Sequence, residues 1–384
     1  MRQEIFATTP RIILGTGALA RVGEEVRRLG GTSVCIVTDP GVAASGIVER
    51  LEGLLGDAGI AHVRFDKVEA DPPYEIVEQS LAVLRAAKAD TVIGIGGGSS
   101  LDMAKITAVL AVNEGPVGKY FGTDLIPAPG LKTILIPTTA GTGSEVTPIV
   151  ILSDHHEKLK KGIVSPYLFP ATALLDPELT IGLPPKVTAA TGMDALIHAL
   201  EAYTSINATP MTDMLAKEAI ELIYGNIRTA YAKGDNLPAR EAMLRGAMLA
   251  GMAFANAGVT AVHAFAYPIG AEFHIPHGIA NTIMLVPVMR FNQTGNLARF
   301  AALASFLGQH VEGLSLRQAA ASAVTALTEL AEDLGVPQHL SAYGVKEGDV
   351  PTLAAGVMLV TRLLANNPRT MTEEAAAEIY RQAL

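Results

Sequence analysis

Tryptophan is absent from this 384-residue chain, aromatic residues make up only 5%, and there is one cysteine, Cys35. A single cysteine rules out an intramolecular disulfide. Its place in the apolar run SVCIV predicts a buried, inert thiol suited to a reducing cytoplasm. Positive charge is also scarce: 29 Lys and Arg stand against 38 Asp and Glu, a formal net charge of -9. That balance favours solubility, works against a phosphate-backbone partner and predicts no nucleic-acid binding. No stretch approaches the roughly 18 apolar residues of a membrane span, and MRQEIFATTP lacks the charged-then-apolar order of an export leader. The expectation is a soluble, cytoplasmic protein with no membrane partner.

What is present is aliphatic: 49% hydrophobic residues against 17% charged, enough for a compact body and too apolar for disorder. The length exceeds the roughly 100 to 200 residues of one domain, so two are expected. Up to Pro184, short β-branched runs (SVCIVTD, HVRFD, TVIGI, TILIP) alternate with helical patterns, which predicts a parallel α/β sheet. TVIGI and TILIP are apolar on both faces and so belong mid-sheet. Beyond Pro184 the strand-like runs stop, and segments such as TAATGMDALIHALEAY and EAMLRGAMLAGMAFANA predict an all-helical domain. The turn residues of DPELTIGLPPK place the boundary there, giving domains 1–182 and 183–384 with a ligand cleft expected between them. Neither an internal repeat nor a low-complexity tract is evident.

The segment TVIGIGGGSSLDMAK runs from strand through Gly96, Gly97 and Gly98 into a helix, an arrangement that offers bare amides to a pyrophosphate. The spacing is not GxGxxG, and no acidic residue follows at the usual distance. Asp39 instead precedes the glycines, at the end of SVCIVTD. Its carboxylate can accept two ribose hydroxyls and would repel a 2′-phosphate, favouring NAD over NADP, although an Asp before Pro is also an ordinary turn former. The loop IPTTAGTGSEVT adds the hydroxyls of Thr138, Thr139, Thr142 and Ser144.

In TGMDALIHALEAY, Asp194 and His198 are four apart and share a helix face, which is ligand spacing. Downstream, AVHAFAYPIGAEFHIPHG supplies His263, His274 and His277 in mostly apolar surroundings, where imidazoles need partners. Spacing alone does not choose among these three. His155 and His156 fall in a charged, solvated turn. Mixed imidazole and carboxylate ligation suits divalent Fe, Zn, Ni, Co or Mn.

Taken together and in this order, GGGSSLDMAK, IPTTAGTGSEVT, GMDALIHALEAY and HAFAYPIGAEFHIPHG resemble the signatures of iron-containing (group III) alcohol dehydrogenases. The resemblance implies an NAD-binding α/β domain followed by an all-α, metal-binding domain, as in dehydroquinate synthase-like folds. It also implies a divalent metal, Fe(2+) above all, held by Asp194, His198, His263 and His277. Cofactor residues carry over onto Asp39, Gly97, Gly98, Ser99, Thr138, Thr139 and Thr142, and onto Asp71 and Lys160 by shorter local matches. Many members have a proton-relaying His where this chain has Tyr267, which leaves Tyr267 and His274 as the relay candidates. The implied reaction moves a hydride between nicotinamide C4 and a primary alcohol or aldehyde, in a homodimer. A glycerol-type polyol dehydrogenase, a reductase of a carboxylate-bearing aldehyde and a dehydroquinate-synthase-like lyase are the alternatives.

Overall fold

The computed structural model describes residues 3–154 and 159–384; His155 and His156 lie outside the described residues. Internal contacts divide the chain into Ala7–Leu183 and a second unit, Pro184–Leu384 together with the N-terminal residues up to Phe6.

Among its described residues the first unit has nine strands: β1 (Ile12–Leu14), β2 (Ser33–Val37), β3 (Ala61–Phe65), β4 (Thr91–Gly96), β5 (Gly122–Thr123), β6 (Lys132–Pro137), β7 (Ile149–Asp154), β8 (Leu159–Val164) and β9 (Thr172–Leu175). Six form an all-parallel sheet in the order β1-β9-β6-β4-β2-β3, with TVIGI and TILIP as the two central strands. Their double-sided apolarity has its counterpart in two cores. On one face Ile36, Ile93, Ile95, Ile134 and Ile136 pack with Val26, Leu51 and Leu55 of helices α1 (Val22–Arg28) and α3 (Ile47–Asp57). On the other, Cys35, Val37, Val92 and Leu135 pack with Val77 and Leu81 of α4 (Ile76–Ala87) and Leu101 of α5 (Gly98–Leu110). Each such fully buried aliphatic side chain contributes roughly 1.5–3 kcal/mol. Burial pushes the Cys35 thiol up to about 12, so it stays protonated and inert.

Two features differ from a simple parallel sheet. A second sheet, β5-β8-β7, contains the antiparallel pair β7 and β8, whose Val150, Leu152 and Ile163 join the core beneath α5. The Asp-Pro of DPELT is more than a turn. The buried Asp176 carboxylate accepts from Glu178 N, Gly17 N and Leu19 N, each at 3.1 Å, and so ties the end of the unit to its beginning.

Decisive for position is the adjacency of β6, β4 and β2. Chain order runs outward to β3 after β2 and outward to β6 after β4, so the crevice between the C-terminal ends of β2 and β4 is a topological switch point. The short helix α2 (Pro40–Ala44) and the longer α5 start at those ends.

The second unit is helical throughout its described secondary structure: α6 (Pro185–Thr204), α7 (Pro210–Ala232), α8 (Leu237–Ala257), α9 (Ala261–Phe273), α10 (His277–Asn292), α11 (Leu297–Phe306), α12 (Leu316–Asp333), α13 (Val350–Met358), α14 (Thr361–Leu364) and α15 (Glu373–Ala383). Local chemistry sets their starts. Proline occupies the first turn of α6, α7 and α8, Thr209 and Thr212 make a reciprocal capping box, and Asn236 and Ser315 cap α8 and α12. Among the described residues no single helix is long and apolar enough to cross a membrane.

Candidate metal centre and cofactor loops

Three helices of the second unit bring the chemistry together. Helix α6 carries Asp194, His198 and Glu201 at intervals of four and three, which puts all three on one face; each is at least nine-tenths buried. Helix α9 supplies the buried His263 in its first turn, and α10 begins with the half-buried His277. A Cβ at Gly278 would meet the Ala190 carbonyl oxygen at 2.3 Å, so only glycine lets the start of α10 approach α6 this closely.

One ligand atom from each of Asp194, His263 and His277 lies within 4.8 Å of the others. His263 Nε2 and His277 Nε2 stand 3.7 and 3.8 Å from Asp194 Oδ1, too far for hydrogen bonds. Ligand atoms sharing one tetrahedral ion, with bonds of roughly 2.0–2.1 Å, lie roughly 3.3–3.4 Å apart, so this donor set and spacing fit a divalent cation. His198 is outside that group of three. Its ring stacks on His263 at 4.6 Å between centroids and on Phe254 at 4.4 Å. Burial works to raise the Asp194 carboxyl, but the electrostatic influence of the neighbouring His198, His277 and His263 rings, with the Asn281 amide, prevails and holds it down at about 2.

Two residues that spacing did not single out complete the surroundings. Asn281 Nδ2 donates to Asp194 Oδ1 at 2.8 Å and lies 3.2 Å from His277 Nε2. Glu201 Oε2 is hydrogen-bonded to His263 Nδ1, while Oε1 accepts from Thr260 Oγ1 at 2.6 Å and from Val262 N at 2.7 Å. Glu201 is three after His198 and Asn281 four after His277, on the same helix faces, but nothing in periodicity marks them as polar contacts. Of the relay candidates, the Tyr267 ring lies 6.1 Å from that of His277. His274 is exposed at the C-cap of α9, in a left-handed conformation with φ 54°, and stands outside the grouped ligand atoms.

In the first unit the ends of β2, β4 and β6 converge. Asp39 Oδ1 caps α2 by accepting from Val42 N at 3.0 Å, and Oδ2 accepts from Ser100 Oγ at 3.1 Å, so the turn-forming role is real and each oxygen keeps a second lone pair. Thr138 N donates to Gly96 O at 2.9 Å. Gly97 is the N-cap of α5, which has no side-chain cap, leaving first-turn amides of Gly98 and Ser99 for an anion. The two glycines are needed differently. A Cβ at Gly98 would fall 2.6 Å from Thr142 Cγ2, whereas one at Gly97 would meet nothing nearer than Thr139 at 3.8 Å, with φ an ordinary −76°. The fold therefore requires Gly98 but would tolerate a Cβ at Gly97, so the bare backbone there leaves a cradle that a side chain would fill and a pyrophosphate can use. Lys160 Nζ donates to Asp71 Oδ1 at 2.6 Å, and Asp71 adopts φ 50°.

Behind the hydroxyl loop lies a buried charged cluster. Ser144 Oγ donates to Asp102 Oδ1 at 2.6 Å and Ile151 N to Oδ2 at 2.9 Å; Lys105 Nζ reaches Ile149 O at 2.9 Å and Asp102 Oδ1 at 3.6 Å. Burial draws the Lys105 ammonium down and pushes the nearby Glu145 carboxyl up to about 7.

This combination has clear relatives. A family model described as iron-containing alcohol dehydrogenase matches residues 9–177, and one described as the C-terminal part of the Fe-containing alcohol dehydrogenase family matches 188–384. Sulfoacetaldehyde reductase of Bilophila wadsworthia (strain 3_1_6) is 42% identical over 372 residues, 96% of each chain. The crystal structure of a 1,3-propanediol oxidoreductase superposes with a TM-score of 0.97 at 41% identity, covering all of both chains. Sulfoacetaldehyde reductase from Bifidobacterium kashiwanohense, solved in complex with NAD+, gives 0.89 at 29% identity, covering 100% of this chain and 99% of that one. With the motifs, the fold and the whole-length matches in agreement, the chain belongs to the iron-containing alcohol dehydrogenase family and is an oxidoreductase of the alcohol dehydrogenase and aldehyde reductase type.

Proposed function

We propose that this enzyme interconverts a primary alcohol and its aldehyde, with NAD as hydride carrier and one divalent metal ion, Fe(2+) foremost, held by Asp194, His198, His263 and His277. The observation that carries the reading is the grouping of the Asp194, His263 and His277 donor atoms within 4.8 Å, with the His198 ring stacked against His263. Bound there, the ion supplies a Lewis acid for the oxygen of the reacting carbon, and NAD supplies or takes up the hydride.

The chain's own share is placement and charge. Asp194 brings the one formal negative charge of the four ligands, leaving a net positive centre that suits an oxygen gaining negative charge. The amides of Gly97, Gly98 and Ser99 bind pyrophosphate, and the spare Asp39 lone pairs take ribose hydroxyls and disfavour a 2′-phosphate. Thr138, Thr139 and Thr142 offer hydroxyls from the neighbouring loop, and the Lys160–Asp71 pair is assigned to the same cofactor. Tyr267 Oη is the better relay candidate, since its ring faces the His277 side while His274 is exposed at a helix end. We read the protein as a cytoplasmic homodimer; exposed Ile206, Met211 and Met214 support a partner surface. A mass in light scattering near twice 40.1 kDa checks the dimer.

The test combines elemental analysis of purified protein with a panel of short, long and polyhydric alcohols followed at the NADH absorbance. We expect about one divalent ion per chain and net NADH formation. His263→Ala should lose metal and turnover together. Full activity in metal-free His263→Ala would sink the reading, and NAD returned unchanged would favour the lyase alternative.

A further inference from the structure

Glu201 is a carboxylate 1% exposed, and none of its three hydrogen-bond partners is a lysine or arginine. Such a group is costly to bury unless its oxygens are hydrogen-bonded. Here both are. Oε1 accepts from the Thr260 hydroxyl and the Val262 amide, at the start of α9, where Thr260 makes no side-chain cap of its own. Oε2 meets His263 Nδ1. A neutral imidazole has one N–H. With that proton on Nδ1, facing the carboxylate, the lone pair falls on Nε2, the atom 3.7 Å from Asp194 Oδ1 and in the three-residue ligand group.

Resting on the metal reading above, we propose that Glu201 is a positioning residue: it fixes His263 as the Nδ1–H tautomer, aims Nε2 at the cation, and adds a buried negative charge that strengthens cation binding. The same carboxylate fastens the α9 N-terminus to α6, so backbone and ring of His263 are set by one group. A carboxylate behind a ligating imidazole is a general means of orienting it and raising its basicity.

Glutamine cannot reproduce this. Its single carbonyl oxygen can face either Val262 N–H and Thr260 or His263 Nδ1, and its amide donors occupy the other side. If the amide faces Nδ1, the imidazole proton is driven to Nε2, where it blocks the metal. We therefore expect Glu201→Gln to fold and bind NAD like wild type but to hold Zn2+ or Co2+ roughly 10- to 100-fold more weakly in chelator competition, with an altered Co2+ visible spectrum. Glu201→Asp, which keeps the charge, should recover part of the affinity. Thr260→Val, which removes a cap contact and no charge, should stay near wild type. Wild-type metal affinity and an unchanged Co2+ spectrum in Glu201→Gln would overturn the proposal, as would an equal loss in Thr260→Val, which would make Glu201 a helix cap only. Should Glu201→Gln fail to fold, 15N spectra of metal-free wild-type protein decide: an Nδ1–H signal for His263 supports the assignment, and an Nε2–H tautomer overturns it. A wild-type protein that takes up no divalent ion would instead overturn the metal reading itself, which separates the two failures.

Discussion

Gly97 and Gly98 are neighbours with different obligations, and that difference is measurable. Adding a Cβ at Gly98 drives it into Thr142, so Gly98→Ala should lower stability by roughly 1–3 kcal/mol, partly recovered by Thr142→Ser. Adding one at Gly97 meets only Thr139 at 3.8 Å, an ordinary van der Waals contact, so Gly97→Ala should melt like wild type but bind NAD at least about tenfold more weakly, about 1.4 kcal/mol. Thermal unfolding and calorimetric NAD titration of the pair distinguish the two; equal NAD affinity in Gly97→Ala would remove the pyrophosphate assignment. Tyr267 is the other residue whose role is local. Tyr267→Phe should leave metal content and NAD affinity unchanged and reduce kcat by roughly 100-fold, with a changed pH profile. An unchanged kcat would return Tyr267 to the role of a packing residue.

At the scale of elements, the proposed chemistry is presented by three helices, α6, α9 and α10, and by three adjacent strand ends. Helix periodicity alone puts Asp194 and His198 together, because side chains four apart lie one turn apart. The Asp102, Lys105 and Glu145 cluster joins α5 to the loop after β6, and it carries a pH signature. Burial raises the Glu145 carboxyl from 4.5 to about 7 in the fold, with Lys105 opposing only in part. A raised folded value means that the stabilising contribution is full below about 4.5 and is lost as the pH rises through about 7. Glu145→Gln should therefore gain on wild type between pH 5 and pH 8 by roughly 2–3 kcal/mol, read from denaturant unfolding of the α/β unit at the two values. A difference independent of pH would show that Glu145 is ionised throughout.

For the whole molecule, the proposed cofactor residues from Asp39 to Lys160 all fall in Ala7–Leu183, and the proposed ligands Asp194, His198, His263 and His277 all fall in Pro184–Leu384. Stripping the metal with a chelator should abolish turnover while NAD affinity, measured by calorimetry, stays within about twofold, since no residue proposed as a ligand is also proposed for the cofactor. A parallel loss of NAD binding would show that the two sites are coupled.

Short-range patterning was enough for the parallel sheet, its central strands, the helical second half, the buried Cys35 and the shared face of Asp194 and His198, because each depends on residues a few positions apart. It did not reach the antiparallel β7–β8 pair, or the doubled role of Asp176. Nor could it separate His263 and His277 from His274. Left-handed backbone at His274 ends α9 and leaves that side chain exposed, while the two flanking histidines turn inward. Glu201 and His263 are 62 residues apart, and Asn281 and Asp194 87 apart. Contacts of that range depend on how α6, α9 and α10 pack, down to the Gly278 approach to Ala190, and packing between helices leaves no periodic trace in the chain.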